Sequence, residues 1–183
     1  MTTATQTLPI AAGTWEPDLA HSSVEFTVRH LGLSKVRGRF GAYTAALNVG
    51  VDLDATSVTA IVDLSSVDTG NPDRDGHLQS SDFFNVDNHP SMTFESHTIE
   101  GIGSGEYRMT GKLTVNGVTR EVSFDVELTG SVTDDNGTRA GFSATTELSR
   151  KQFGITFDAP MGADTVLVAD KVNVELELQL VAK

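Results

Sequence analysis

Strict two-residue alternation of apolar and polar side chains runs through most of this chain and leaves few folds open to it. Val118, Val122, Phe124, Val126 and Leu128 share one face with Arg120, while Thr119, Glu121, Ser123, Asp125 and Glu127 take the other. Near the C-terminus Val172, Val174, Leu176, Leu178 and Leu180 oppose Asn173, Glu175, Glu177 and Gln179. Successive side chains of a strand point to opposite faces, so this pattern predicts strands with one buried and one solvated face. The same period appears at Val24/Phe26/Val28, Tyr43/Ala45/Leu47/Val49, Val58/Ala60/Val62/Leu64, Met109/Gly111/Leu113/Val115 and Phe142/Ala144/Thr146/Leu148. Residues 92–99 are strand-like but less regular.

Turn chemistry separates these runs. Asn116-Gly117 between two of them predicts a two-residue hairpin, because such a turn needs positive φ at both central residues. Asp134-Asp135-Asn136-Gly137 predicts a longer hairpin loop, and Gly101, Gly103 and Gly105 a flexible loop before the Tyr107 strand. Helix is expected only between Pro72 and Val86, capped by Asp73 or Asp75 and carrying Leu78. No linker, repeat or composition break interrupts the chain. About eight antiparallel strands with one apolar face each close into an up-and-down barrel or pack as a sandwich. Bulky Phe26, Phe124, Phe142 and Leu113 share the inner faces with small Ala45, Ala60, Gly111 and Ala144, which leaves room for an apolar cavity.

The chain has 183 residues, enough for one domain with a sizeable core and no need of disulfides or metal. A formal charge of −12 argues against a nucleic-acid binder or a basic membrane-docking patch. The absence of cysteine excludes thiol nucleophiles, thiolate metal sites and disulfides. The N-terminal MTTATQTLPIAAG lacks a positive n-region and a continuous apolar stretch, so no signal peptide is expected and a cytoplasmic location is. A signal already removed would make the location periplasmic or secreted. No apolar stretch reaches the length of a transmembrane helix, so an integral membrane protein is not expected.

Several blocks carry a resemblance. They are Asp18, His21, Ser22, Val24, Phe26, His30, Val36, Gly38 and Phe40; then Arg74, His77, Leu78, Ser81, Asp82-Phe83-Phe84, Pro90 and Phe94; then Gly111, Leu113, Thr114, Asn116, Gly117 and Val122; and last Arg150, Phe153, Gly154, Val168, Asp170 and Val172. In this order and spacing the chain resembles the YceI-like proteins, bacterial lipocalin-like barrels that bind polyisoprenoid and related amphiphilic lipids, from Trp15 to Leu180. Many relatives carry an export signal, and an aromatic is common where His89 precedes Pro90. The resemblance implies an all-β, lipocalin-like barrel over 15–183, behind a disordered tail of residues 1–14, with a short helical cap. It implies binding, storage or transport of an isoprenoid-type or other long-chain lipid in an elongated apolar cavity, without chemistry. A bound isoprenoid quinone or polyprenyl lipid is the one cofactor-like group it suggests, and a homodimer is among the expected partners.

The ligand-binding residues expected on this reading are Phe26, Val28, His30, Phe40, Ala60, Val62, Phe83, Phe84, Phe94, Leu113, Phe124, Phe142, Ala144, Arg150 and Phe153. His30 shares a face with Val24, Phe26 and Val28, so it either bonds a ligand head group or pairs with a backbone carbonyl at the barrel end. Arg150 either meets a phosphate or carbonyl head group or pairs with Asp158 or Asp170. Adjacent residues point about 100° apart on a helix, so one of Phe83 and Phe84 plugs the mouth and the other packs outside. His21 is expected to tie a turn. Asn71, Asp73, Asp75, Gly76 and Asp82 imitate a calcium loop, but Pro72, the aspartate at the twelfth position and the lack of a preceding helix make helix capping the better reading. No zinc motif appears among the five histidines, so no metal site is expected. Asn136-Gly137-Thr138 fits a glycosylation sequon without an export signal to give it meaning. The rival reading is an esterase or isomerase acting on a hydrophobic substrate in the same cavity, which needs a base beside a nucleophile there.

Overall fold

The alternating runs become strands because each buries one face against the same interior. The computed structural model describes residues 5–159 and 166–183. In chain order these hold β1 (Gly13–Pro17), β2 (Ser23–His30), β3 (Ser34–Phe40), β4 (Tyr43–Val49), β5 (Ser57–Asp63), β6 (Val67–Asp68), helix α1 (Pro72–Gln79), β7 (Ser91–Gly103), β8 (Glu106–Val115), β9 (Val118–Asp134), β10 (Gly137–Ser149) and β11 (Val168–Ala182). Short 3-10 turns lie at Leu19–His21, Leu64–Ser66 and Arg150–Phe153. In β8 the burial is strictly periodic, with Tyr107, Met109, Gly111, Leu113 and Val115 all inside.

Eight strands close an antiparallel barrel in the order β1-β4-β5-β7-β8-β9-β10-β11, and β11 returns to β1. The closing register sets Trp15 opposite both Leu47 of β4 and Ala182 of β11. Beyond that seam β11 pairs with β2 instead, from Glu177↔Ser23 to Val168↔His30. One long strand therefore holds two short ones end to end, and the chain kinks between them at the Leu19–His21 turn. Asp18 makes the kink by accepting from Ala20 N at 3.0 Å and holding His21 Nδ1 at 2.9 Å, the turn-tying role expected of that histidine. The β2–β3 hairpin and β6 then branch from the ring towards α1. The fold is thus the lipocalin-like barrel expected, with β1, β3 and β6 added to the strands read from alternation.

Several local expectations need correction. Of the expected disordered tail, residues 1–4 lie outside the described residues, and the exposed stretch after them is held at two points: Leu8 is buried in the core, and Gln6 O accepts from Leu53 N while Gln6 Oε1 accepts from Gly101 N. Gly101 and Gly103 belong to β7, where ladder bonds to β8 hold them, and only Ser104-Gly105 turn. Gly137 pairs with Asp134, so that loop has two residues; Asp134 Oδ1 accepts from Asn136 N at 2.7 Å and tightens it. The Asn116-Gly117 hairpin forms as read, with φ of 53° and 72°. Helix α1 stops at Gln79, well before Val86, and its cap is Asn71, whose side chain accepts from Asp73 N and Arg74 N. Asp75, the other expected cap, accepts from Thr69 N and Oγ1 instead.

One barrel end is packed solid. Trp15, Val49, Leu53 and Ala140 belong to the core there, and Trp15 Nε1 donates to Ala11 O at 3.0 Å. The other end carries α1, the turns after it and the Arg150–Phe153 turn.

Candidate ligand-binding chamber

Above the packed end the inner faces enclose a cavity of about 300 Å³, within the range that takes a small ligand. Its wall comes from every barrel strand: Pro17 from β1, Ala45 and Leu47 from β4, Ala60 and Val62 from β5, Phe94 from β7, Leu113 from β8, Phe124 from β9, Phe142 and Ala144 from β10, Val174 and Leu178 from β11. Small residues make the space. Ala45 faces Ala60 across β4 and β5, and Ala144 lies between Val126 and Leu176. Around them aromatic rings stiffen the wall, with Phe94 edge-on to Phe124 at 5.4 Å and Phe26 tilted against Phe40 at 5.5 Å. Phe26 sits directly opposite Gly38, where a Cβ would overlap its ring.

Of the residues expected to contact a ligand, Phe26, Val28, Phe40, Ala60, Val62, Phe83, Phe84, Phe94, Leu113, Phe124, Phe142, Ala144, Arg150 and Phe153 all line the chamber. His30 does not. It ends β2 opposite Val168 and Ser34, one inward position beyond the last wall residue, Val28, and the chain turns away at Leu31 with φ of 55°. Phe83 and Phe84 correct a second expectation. Because α1 ends at Gln79, Phe84 N donates to Leu78 O and Phe83 N to Ser80 O, and both rings turn inward. Phe83 meets Phe157 at 5.2 Å and Phe84 meets Phe40 at 5.9 Å, so together they lid the open end. His77 stacks edge-on against Phe83 and Phe157 while its Nε2 holds Asp82 at 2.8 Å.

Arg150 is the charged group at the lidded end, and only 5% of it is exposed. Its Nε donates to Ala169 O, Nη1 to Ile155 O and Nη2 to Val168 O, each at 2.9 Å. Among the described residues no carboxylate touches it. Burial pulls its pKa down, while Asp158 and Asp170 nearby push it back up, and a guanidinium stays charged in any case. Arg150 thus ties the 3-10 turn to the start of β11 through main-chain carbonyls, a role neither sequence alternative named. Asp158 and Asp170 are themselves engaged: Asp158 Oδ1 accepts from Leu167 N, and Asp170 from Ser149 Oγ and Lys151 N.

The alternation had placed Tyr43 and Leu47 on an inner face, and both line the chamber. Leu8 and Ile155 line it too, without any periodic signal, since neither lies in a strand. Burial raises the pKa of Tyr43 and Tyr107. Among the described residues no histidine and no serine lines the chamber; the polar side chains on its lining residues are those of Glu25, Tyr43, Thr93, Tyr107 and Arg150. Nor do three histidine or carboxylate side chains converge anywhere among the described residues. The oxygens of the calcium-like segment serve the helix cap, Thr69 and His77 instead. No described helix is long and apolar enough to cross a membrane.

Known proteins resemble the chain over nearly its whole length. A profile of the YceI-like domain matches residues 15–180. A UPF0312 protein of Ectopseudomonas mendocina is 38% identical over 148 residues, covering 80% of this chain and 78% of its own. One of Staphylococcus aureus is 35% identical over 161 residues, covering 86% and 91%. Among solved structures, BcnA of Burkholderia cenocepacia superposes with a TM-score of 0.78 at 25% identity over 91% of this chain and 99% of its own. The YCEI protein of Campylobacter jejuni gives 0.73 at 30% identity over 85% and 90%. A polyisoprenoid binding domain from Saccharophagus degradans shares the fold, with a TM-score of 0.67 at 14% identity over 92% and 98%.

Proposed function

The chain belongs to the YceI-like family, and from that premise we propose that its chamber binds the hydrocarbon tail of an isoprenoid-type or other long-chain amphiphilic lipid, which the protein stores or carries. The observation that carries this reading is the wall itself: aromatic and aliphatic side chains surround the cavity, and the charged Arg150 spends its donors on main-chain carbonyls. Each methylene taken from water into such a space gains roughly 0.8 kcal/mol, so a tail binds without specific polar contacts. The polyisoprenoid binding named for the Saccharophagus degradans domain, which shares the fold, agrees with this ligand class. Prenyl quinones and polyprenyl lipids are the ligands we expect. Phe83 and Phe84, held by short turns rather than by helix or sheet, are the parts of the wall through which a tail enters.

Organic extraction of the purified protein followed by lipid mass spectrometry tests the reading. A stoichiometric prenyl or long-chain lipid is the expected result. A clean apo protein that also refuses quinones, polyprenols and fatty amides refutes it.

A further inference from the structure

The outer face of the β2–β3 hairpin gathers cations that the net charge of −12 hides. Between Glu25 and Asp52 the sequence holds no carboxylate, yet it holds Arg29, Lys35, Arg37 and Arg39, four of the thirteen lysines and arginines. The register sets Arg29 opposite Lys35, Thr27 opposite Arg37 and Glu25 opposite Arg39. All four cations therefore share the face turned away from the chamber, and all four are exposed. Arg39 is held by Asp68 at 3.2 Å, with Glu25 across from it. Among the described residues no carboxylate pairs with Arg29, Lys35 or Arg37. Like charges directly opposite one another destabilise a strand pair, so Arg29 against Lys35 does not serve the hairpin's own stability. The tip adds apolar surface. Leu31 and Leu33 flank Gly32, Leu33 is 80% exposed, and Leu31 holds a φ of 55° that asparagine or glycine takes with less strain. β6 covers only Arg39 and Phe40, which leaves the rest of β3 as an edge. Protection of that edge explains less, because carboxylates would serve equally, Arg29 is not on it, and an exposed leucine works against it.

We propose that this face docks the protein on a bilayer rich in anionic phospholipid, with the cations against the headgroups and Leu33 in the interfacial layer. The choice of a membrane as partner rests on the lipid-binding reading above, since a tail must leave a bilayer to reach the chamber. The hairpin tip stands at the lidded end. There His30 pairs with Val168 and Leu31 N donates to Leu167 O, beside the Val168 carbonyl that Arg150 holds. On the inner face Phe26 meets Phe40, and Phe40 meets Phe84 of the lid. One side of the hairpin is thus offered to headgroups while the other packs on the lid. The acidic remainder of the barrel does not cancel the attraction, because charges more than about 10 Å away are largely screened at 0.1 M salt. Its repulsion turns the far side of the barrel away from the surface. A nucleic acid also attracts cations, but it offers Leu33 no apolar layer.

The test is flotation of the full chain with vesicles of phosphatidylcholine alone and of phosphatidylcholine and phosphatidylglycerol in equal parts. The wild type should bind the mixed vesicles at about 0.1 M salt, ignore pure phosphatidylcholine, and release at about 1 M. Arg29→Gln/Lys35→Gln/Arg37→Gln should weaken binding about a hundredfold, at roughly fivefold for each cation near an anionic surface. Leu33→Ser should weaken it about tenfold. Arg108→Gln/Lys112→Gln/Lys183→Gln removes the same charge from β8 and the C-terminus and should cost less than about threefold. All these side chains are exposed, so thermal melts of the variants should match the wild type. No binding to the mixed vesicles, equal binding to phosphatidylcholine, or equal loss in the two triple variants overturns the docking face. Tighter binding to a DNA duplex than to the mixed vesicles at the same salt, abolished in the hairpin variant, overturns the membrane as partner. Lipid extraction reads the chamber separately. A lipid-filled protein that ignores vesicles removes only the docking face, whereas vesicle binding by a protein that refuses every lipid supports the docking face and removes the lipid reading.

Discussion

Replacing Ala144 by phenylalanine distinguishes a chamber from a packed core. Ala144 is 5% exposed, faces Val126 and Leu176 across the two neighbouring strands, and lines the cavity with both. At the packing density of a protein interior the six added ring carbons take roughly 100 Å³. That is no more than about a third of the 300 Å³ available. In a filled core such an insertion costs about 1–3 kcal/mol, which at this chain length lowers the melting temperature by some 2–12 °C. Here the ring enters existing space, and its own burial offsets local crowding, so the apo melting temperature should stay within about 2 °C or rise. The ligand loses what the ring takes. One five-carbon unit displaced removes about 4 kcal/mol of tail burial, close to a thousandfold in affinity for the longest tails. Differential scanning fluorimetry of the delipidated protein gives the first quantity, and the chain-length distribution of retained lipid gives the second. A strongly destabilised apo protein with unchanged lipid selection refutes the chamber at this position.

Other perturbations probe the frame around it. Arg150→Ala strands the carbonyls of Ile155, Val168 and Ala169 and should cost at least about 3 kcal/mol. Arg150→Lys should recover little of that, because one ammonium does not reproduce the planar fork; thermal melts of the two variants check both. Gly111→Ala places a Cβ against Glu95 O and the Ser96 backbone and should cost about 2–3 kcal/mol, whereas Gly76→Ala, in α1 with open space around it, should stabilise by about 0.5–1 kcal/mol in the same melts. Asp170 should contribute to acid unfolding. Burial raises its pKa, but the Lys151 N–H, the Ser149 hydroxyl and the charges of Lys151 and Arg150 outweigh that and hold it below the ordinary value. A depressed carboxylate contributes stability that is full above its unfolded pKa near 4 and disappears as pH falls through its folded pKa. Urea midpoints measured down to pH 2 should therefore drop, and Asp170→Asn should flatten that drop while lowering stability at neutral pH.

What the amino-acid order determined by itself is everything that depends on a few consecutive residues. The alternation in β8, β9, β10 and β11 assigns each side chain to wall or solvent because strand geometry has a period of two, and nearly all the expected wall residues follow from that parity and the family blocks. Asn116-Gly117 turns where it must because positive φ is tolerated there. Where a local signal met a non-local contact, the contact decided. The glycines of residues 101–103 look flexible in isolation but are held by the ladder to β8, and Leu8 has no pattern yet is buried. His30 has the inward parity of its strand and still misses the chamber, although Val168 opposite it lines the wall; parity tells which face a residue takes and not whether its side chain reaches the cavity. Arg150 chose carbonyls 5, 18 and 19 residues away over the carboxylates that charge alone suggested. Ring closure sets Trp15 against Ala182. Those outcomes belong to the tertiary structure, because they depend on which distant strands meet once eight of them close around a common interior.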